Sequence, residues 1–350
     1  MSLKISRKSN FELLRILCMF GVLTTHILQN CYPSLHTGDF SLQNVLRILL
    51  MNISIVAVNC FIMISGYFRI KQELRSFFNL YLQLVFYCGL FSIIGYIFEH
   101  ESLIGMLKKT IFPLTEGGMW FMTAYFSLFL IAPLINAGFD NLNKERRLLT
   151  LICLIFVDVY IGYMHQSEEV TTNGYHIIHF ITIYYIGMIL STHKLKSNIK
   201  FRIWVLIIFI MTVLHAVKMV FPPIAIVYSM RYNSPMCLIT SVIVFVMIKN
   251  WSIESKMINW IAASVLSVYV IHSQPIVSYY FFNTLKTISL SSTYSPFLTA
   301  CLIISITIGL YITCIIFDKF RIVCCNPMVT RIELYCRKIQ NNVHEYLNKA

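Results

Sequence analysis

A chain of 350 residues with 57% hydrophobic and only 12% charged residues, and a mean hydropathy of +0.71, carries half the charge of a soluble domain, about 25%. This excludes an ordinary soluble protein and leaves a multi-pass membrane protein with the lipid bilayer as its surroundings. The net charge of +13 does not make it a nucleic-acid binder, because the basic residues lie in short loops between apolar runs and no recognition module accompanies them.

Apolar runs mark ten predicted spanning helices, at 11–30, 44–68, 77–98, 119–137, 148–164, 176–192, 202–220, 235–249, 257–280 and 297–317, the eighth being short. The fold class is therefore all-α, a polytopic membrane helix bundle. Loop charge gives the orientation: 21 of the 28 basic residues fall on one side and five on the other, which by the positive-inside rule puts both termini in the cytoplasm. No A-x-A-like site follows the first run, so it is expected to stay as the first transmembrane helix rather than be cleaved. Residues 1–320 read as a single membrane-embedded domain, and 321–350 as a basic, weakly amphipathic cytoplasmic tail on the membrane surface. The stretch 99–119 is a long outer connection, expected to form a short surface or re-entrant segment.

The first run, Phe11 to Leu28, carries Glu12, Arg15 and His26. At about 100° per residue, the 11 positions from Arg15 to His26 make three turns and about 20° more, so both side chains share a face, about 16 Å apart along the axis. Glu12 lies three residues before Arg15, within ion-pair reach. Two readings of Arg15 stay open: it snorkels to the interface on Glu12, or its planar fork binds the phosphate of a cytoplasmic ligand. His26 is either a hydrogen-bonded bundle residue or a base for a hydroxyl. The second helix ends at Ser65, Gly66 and Tyr67, where small residues permit close backbone approach. The fourth begins with Trp120 and Tyr125 at its outer end. Asp158, within the fifth, is either a proton or substrate group or a buried protonated acid. His176 and His179 have an i, i+3 spacing that matches helical zinc motifs poorly, and no metal is expected. The ninth helix brings His272, 15 residues from its start, to the depth that His26 reaches 15 residues from Phe11.

Eleven cysteines with no CxxC pair, among them Cys18, Cys60, Cys88, Cys153 and Cys301 in apolar runs, read as small core residues. Cys324 and Cys325 read as juxtamembrane filler ahead of a lipidation site.

Glu12-Leu13-Leu14-Arg15, ten residues and then His26 resembles the first-helix Arg-x10-His signature of the acyltransferase 3 family of membrane O-acyltransferases. Phe61 to Tyr67, ending Ser-Gly-Tyr, is similar to that family's second-helix motif. Gly118 to Tyr125, followed by Ala132-Pro133-Leu134, resembles its Trp-Phe…Tyr helix, with Tyr125 four residues after Phe121, and Ser264 to His272 its late Ser…Tyr-x-x-His motif, with Tyr269 and His272. Glu12 stands where members often carry aspartate, and no fused extracytoplasmic esterase-like domain is seen. The resemblance implies transfer of an acyl group, most often acetyl, from cytoplasmic acyl-CoA, a co-substrate rather than a bound cofactor, to a hydroxyl of a cell-surface or lipid-linked glycan. It implies that Arg15, with Glu12, Arg69 and Arg75 at the same mouth, binds the coenzyme. His26 then serves as general base or acyl carrier, His272 and Tyr269 orient the acceptor or stabilise the oxyanion, and Trp120 and Tyr125 stack on a sugar, with Ser65 and Tyr67 also substrate-facing. Composition points to a bacterial plasma membrane, and homodimerisation is left open. A proton-coupled exporter of a sugar or polysaccharide intermediate is the reading from another class, weakened by the lack of an internal repeat.

Overall fold

The computed structural model describes residues 8–32, 42–99, 101–165, 173–192, 199–220, 231–290 and 295–347. All regular structure among the described residues is helical: α1 (Ser9–Cys31), α2 (Leu42–Phe68), α3 (Leu74–Phe98), α4 (Leu103–Ile111), α5 (Pro113–Glu116), α6 (Trp120–Asn141), α7 (Lys144–Ile155), α8 (Ile177–Thr192), α9 (Phe201–Val220), α10 (Pro235–Lys249), α11 (Lys256–Ala262), α12 (Val265–His272), α13 (Pro275–Leu290) and α14 (Pro296–Leu347). Among the described residues, six helices are long and apolar enough to cross a membrane, or seven if one bent pair is one span. Ile177–Thr192, Phe201–Leu214 and Pro235–Lys249 are shorter apolar helices.

α2 is the central helix, 72% buried over its most apolar stretch, and it packs between α1 and α8. Small residues allow this approach. A Cβ on Gly66 would collide with the Tyr184 carbonyl, and one on Gly187 with that of Met63, so the two backbones touch where the Ser65-Gly66-Tyr67 motif meets α8. The start of α1 is wedged into the protein by its polar residues: Asn10 Nδ2 donates to the Ile248 carbonyl at 2.9 Å, and the Ser255 amide donates to Ser9 Oγ at 2.9 Å. These bonds satisfy terminal groups of α10 and the turn before α11, which would otherwise be orphaned in a nonpolar setting.

The expected helix 257–280 does not run through. It is split at Ala263–Ser264, and α13 leaves at 86° to the segment Lys256–His272. Pro275, at the first position of α13, has no N–H to give the previous turn and pushes Gln274 out of the helical region, so the apolar run continues while the helix cannot. The connection 99–119 forms two short helices, the first capped by Ser102 Oγ, which accepts from the Gly105 amide at 3.0 Å. α14 continues through 52 residues, so the last apolar run and the basic tail share one helix. α7 passes into a π-helical segment, Phe156–Met164, a form frequent at functional sites.

Candidate active site

α1 and α12 bring the two candidate imidazoles into contact. His26 Nδ1 and His272 Nε2 are 2.8 Å apart, and the rings are tilted by 56°. His272 is fully buried, and its Nδ1 lies 2.6 Å from the Val268 carbonyl one helical turn back. A carbonyl only accepts, so Nδ1 of His272 carries the hydrogen and its Nε2, in the neutral ring, presents a lone pair. His26 must then donate from Nδ1, and the lone pair of a neutral His26 is left on Nε2. The sequence of bonds therefore selects the tautomer of the partly buried His26, as outer partners do for metal-bound or catalytic imidazoles.

His26 faces a narrow cavity of about 30 Å³ lined also by Met19, Val22, Val58, Phe61, Trp120, Phe121, Tyr232, Leu266 and Tyr269. That volume holds about two waters. Of the candidate substrate residues, Trp120 and Tyr269 share this wall with His26. Ser65 and Tyr125 do not; they hydrogen-bond each other at 3.1 Å, with Tyr125 stacked on Phe121 at 5.8 Å. Tyr67 lies at the other end, stacked on Phe11 at 4.9 Å with the Lys249 ammonium 5.2 Å from its ring centre. Phe121 belongs to the Trp-Phe motif without a role of its own there, and Tyr232 sits in a turn before α10, where no periodicity marks it.

The candidate cations are separately paired. Arg15 Nη1 bonds Glu12 Oε1 at 2.6 Å, with Glu12 nearly buried and Arg15 one-third exposed. Arg69, with a left-handed φ of 58°, bonds Asp140 Oδ1 at 2.7 Å, and Arg75 lies 3.6 Å from Glu333. Phe68, at the end of α2, meets Phe11 at 5.0 Å, which puts Arg69 at the same end of the bundle as Arg15. Each guanidinium faces its own carboxylate, so an anion reaching any of them competes with that partner.

A second buried cluster joins α2, the π-helical segment and α8. His179 Nδ1 lies 2.8 Å from Asp158 Oδ2 and its Nε2 lies 2.9 Å from Asn59 Oδ1, with all three residues fully buried. Asn59 Nδ2 donates to the Tyr232 carbonyl at 3.0 Å, which turns its oxygen toward His179. Nε2 of His179 therefore donates, and one proton is held between Nδ1 and the carboxylate. Both nitrogens are occupied, so His179 has none for a metal, and His176 lies apart on a surface cleft. Glu168 and Glu169, the carboxylates near these histidines in the sequence, lie outside the described residues.

The apolar helices define a multi-pass membrane protein, with a hydrogen-bonded histidine pair inside its bundle. The model of the acyltransferase domain family matches residues 8–316, so the chain belongs to the acyltransferase 3 family and is a membrane acyltransferase. No curated protein and no solved structure matches it.

Proposed function

We propose that the protein is a ten-span O-acetyltransferase of a bacterial plasma membrane, with both termini in the cytoplasm, moving acetyl from cytoplasmic acetyl-CoA to a hydroxyl of a cell-surface or lipid-linked glycan. The ten spans are the six long helices, the bent pair and the three shorter apolar helices. The observation that carries the reading is the chain from the Val268 carbonyl through His272 to His26, which leaves the ring's lone pair on Nε2 of a histidine in the cavity wall. As general base, Nε2 takes the acceptor hydroxyl's proton while the oxygen bonds to the thioester carbonyl carbon; the carbon–sulfur bond breaks, and the thiolate of CoA takes the proton back. The same lone pair serves the acyl-carrier route: Nε2 bonds to the thioester carbonyl carbon as the carbon–sulfur bond breaks and the thiolate of CoA leaves, then the acceptor oxygen bonds to that carbon as the carbon–nitrogen bond breaks and the acceptor's proton passes to the thiolate. His272 acts through His26 and is a positioning residue, while Tyr269 borders the reacting atoms.

Arg15 would bind a coenzyme phosphate in exchange for part of its bond to Glu12, with Arg69 and Arg75 nearby. The flexible pantetheine arm then spans the approximately 16 Å of helix between Arg15 and His26. The cavity must widen to take a thioester. Labelled acetyl-CoA and glycan incubated with purified protein should give an alkali-labile acetyl ester on the glycan; a folded protein that neither transfers label nor consumes thioester contradicts the reading and favours the exporter. Arg15→Ala should raise the KM for acetyl-CoA about tenfold, roughly one charge-assisted bond. An unchanged KM removes that role.

A further inference from the structure

The His26 cavity has a neighbour. An open cleft of about 600 Å³ lies beside the start of α6, lined by Thr115, Thr123, Ser127, Tyr175, His176 and Trp120 among others, with no acidic, lysine or arginine side chain among the described residues of its wall. Trp120 belongs to both spaces. Its ring lies 4.3 Å from Tyr175 and 5.5 Å from Tyr232, and those two are 5.3 Å apart. The three rings stand between an open, hydroxyl-lined cleft and the narrower cavity that His26 faces. Burial holds the Tyr175 phenol above its ordinary pKa, so it offers the cleft an uncharged hydroxyl. Aromatic faces among hydroxyls, without fixed charge, suit a neutral ring that carries its own hydroxyls.

Tyr232 is held through its backbone, whereas Trp120 stands just after a glycine turn. The Tyr232 amide donates to the Asn173 carbonyl at 3.2 Å, its carbonyl is held by Asn59, and Gly174, at φ +88°, leaves just enough room for the Tyr232 and His179 side chains. Trp120, in contrast, is the first residue of α6 and is separated by the buried Met119 from Gly117 and Gly118, the latter at φ +66°. Such a glycine turn absorbs backbone rotation at little steric cost.

We propose that the cleft is the approach by which a neutral, hydroxyl-bearing ring reaches His26, and that Trp120, moving on the Gly117–Gly118 turn, is the door between cleft and cavity. The chemical part of this rests on the acetyltransferase reading; the door does not. Leu266→Cys places a thiol on the cavity wall, and its reaction with a small methanethiosulfonate can be followed by peptide-resolved mass spectrometry, apart from the native cysteines. With Trp120→Ala added, labelling in the folded protein should be about ten times faster, as expected when a site no longer waits for local opening, and with Trp120→Phe it should stay slow. Equal rates with Trp120 and with alanine overturn the door. In the native-cysteine background, Trp120→Ala should also raise acetyl-CoA hydrolysis in the absence of glycan: water oxygen bonds to the thioester carbonyl carbon, the carbon–sulfur bond breaks, and acetate and the protonated thiol leave. Unchanged hydrolysis by an active enzyme overturns the cleft as the approach to His26. No thioester turnover by wild type overturns the acetyltransferase reading and the acceptor with it, while the labelling rates still decide the door.

Discussion

His272 keeps its Nδ1 hydrogen on the Val268 carbonyl, and that bond determines which nitrogen of His26 is free to take a proton. Removing it leaves His26 in place but without an acceptor for its own Nδ1 hydrogen, so the ring samples the wrong tautomer and orientation. His272→Ala is expected to lower kcat about 100-fold with little change in the KM for acetyl-CoA, within the usual range for a general-base contribution. His272→Gln, whose amide oxygen can accept from His26, should recover part of the loss. A fall in kcat that is the same for both variants, or a fall explained by loss of folded protein on a sizing column, would leave His272 with a packing role only. Asp158 and His179 act differently: their shared proton is enclosed by Asn59 and by the turn at Tyr232, and they shape the cavity wall from behind it.

At the scale of elements, the contact of α2 with α8 depends on two glycines whose missing side chains let the backbones meet. Gly66→Ala should destabilise the protein by about 2 kcal/mol or more, the usual cost of overpacking when backbone has to shift, seen as a lower thermal midpoint in detergent; an unchanged midpoint would mean that the helices part without cost. The sequence marked this site through Ser65-Gly66-Tyr67, and it marked Arg15, His26 and His272 because each interrupts a long apolar run at a countable position. It did not mark Tyr175 or Tyr232, which lie in turns where side-chain direction follows from tertiary contacts, nor the pairing of His179 with Asp158, which needs the register of α8 against the π-helical segment. The break at Gln274–Pro275 was readable from proline, but the apolar run on both sides hid it. Ser65, Tyr67 and Tyr125 follow the motifs, yet they pair with other residues and not with the cavity of His26.

Across the whole molecule, Arg15 and His26 share one helix face but serve opposite ends: a cation and its carboxylate near the start of α1, and an imidazole pair deep toward the other end. Reporter tags at the two termini should be accessible from the same face of sealed vesicles; tags on opposite faces would mean an odd number of spans. The division of labour along α1 is the central claim, and sealed proteoliposomes test it directly. With labelled acetyl-CoA only on the face that carries the termini and a glycan acceptor only on the other, wild type should put label on the glycan, and His26→Ala should lower that rate about 1000-fold, the scale expected for loss of a base or carrier. Transfer that requires donor and acceptor on one face, or a His26→Ala protein that transfers as fast as wild type, would contradict the account.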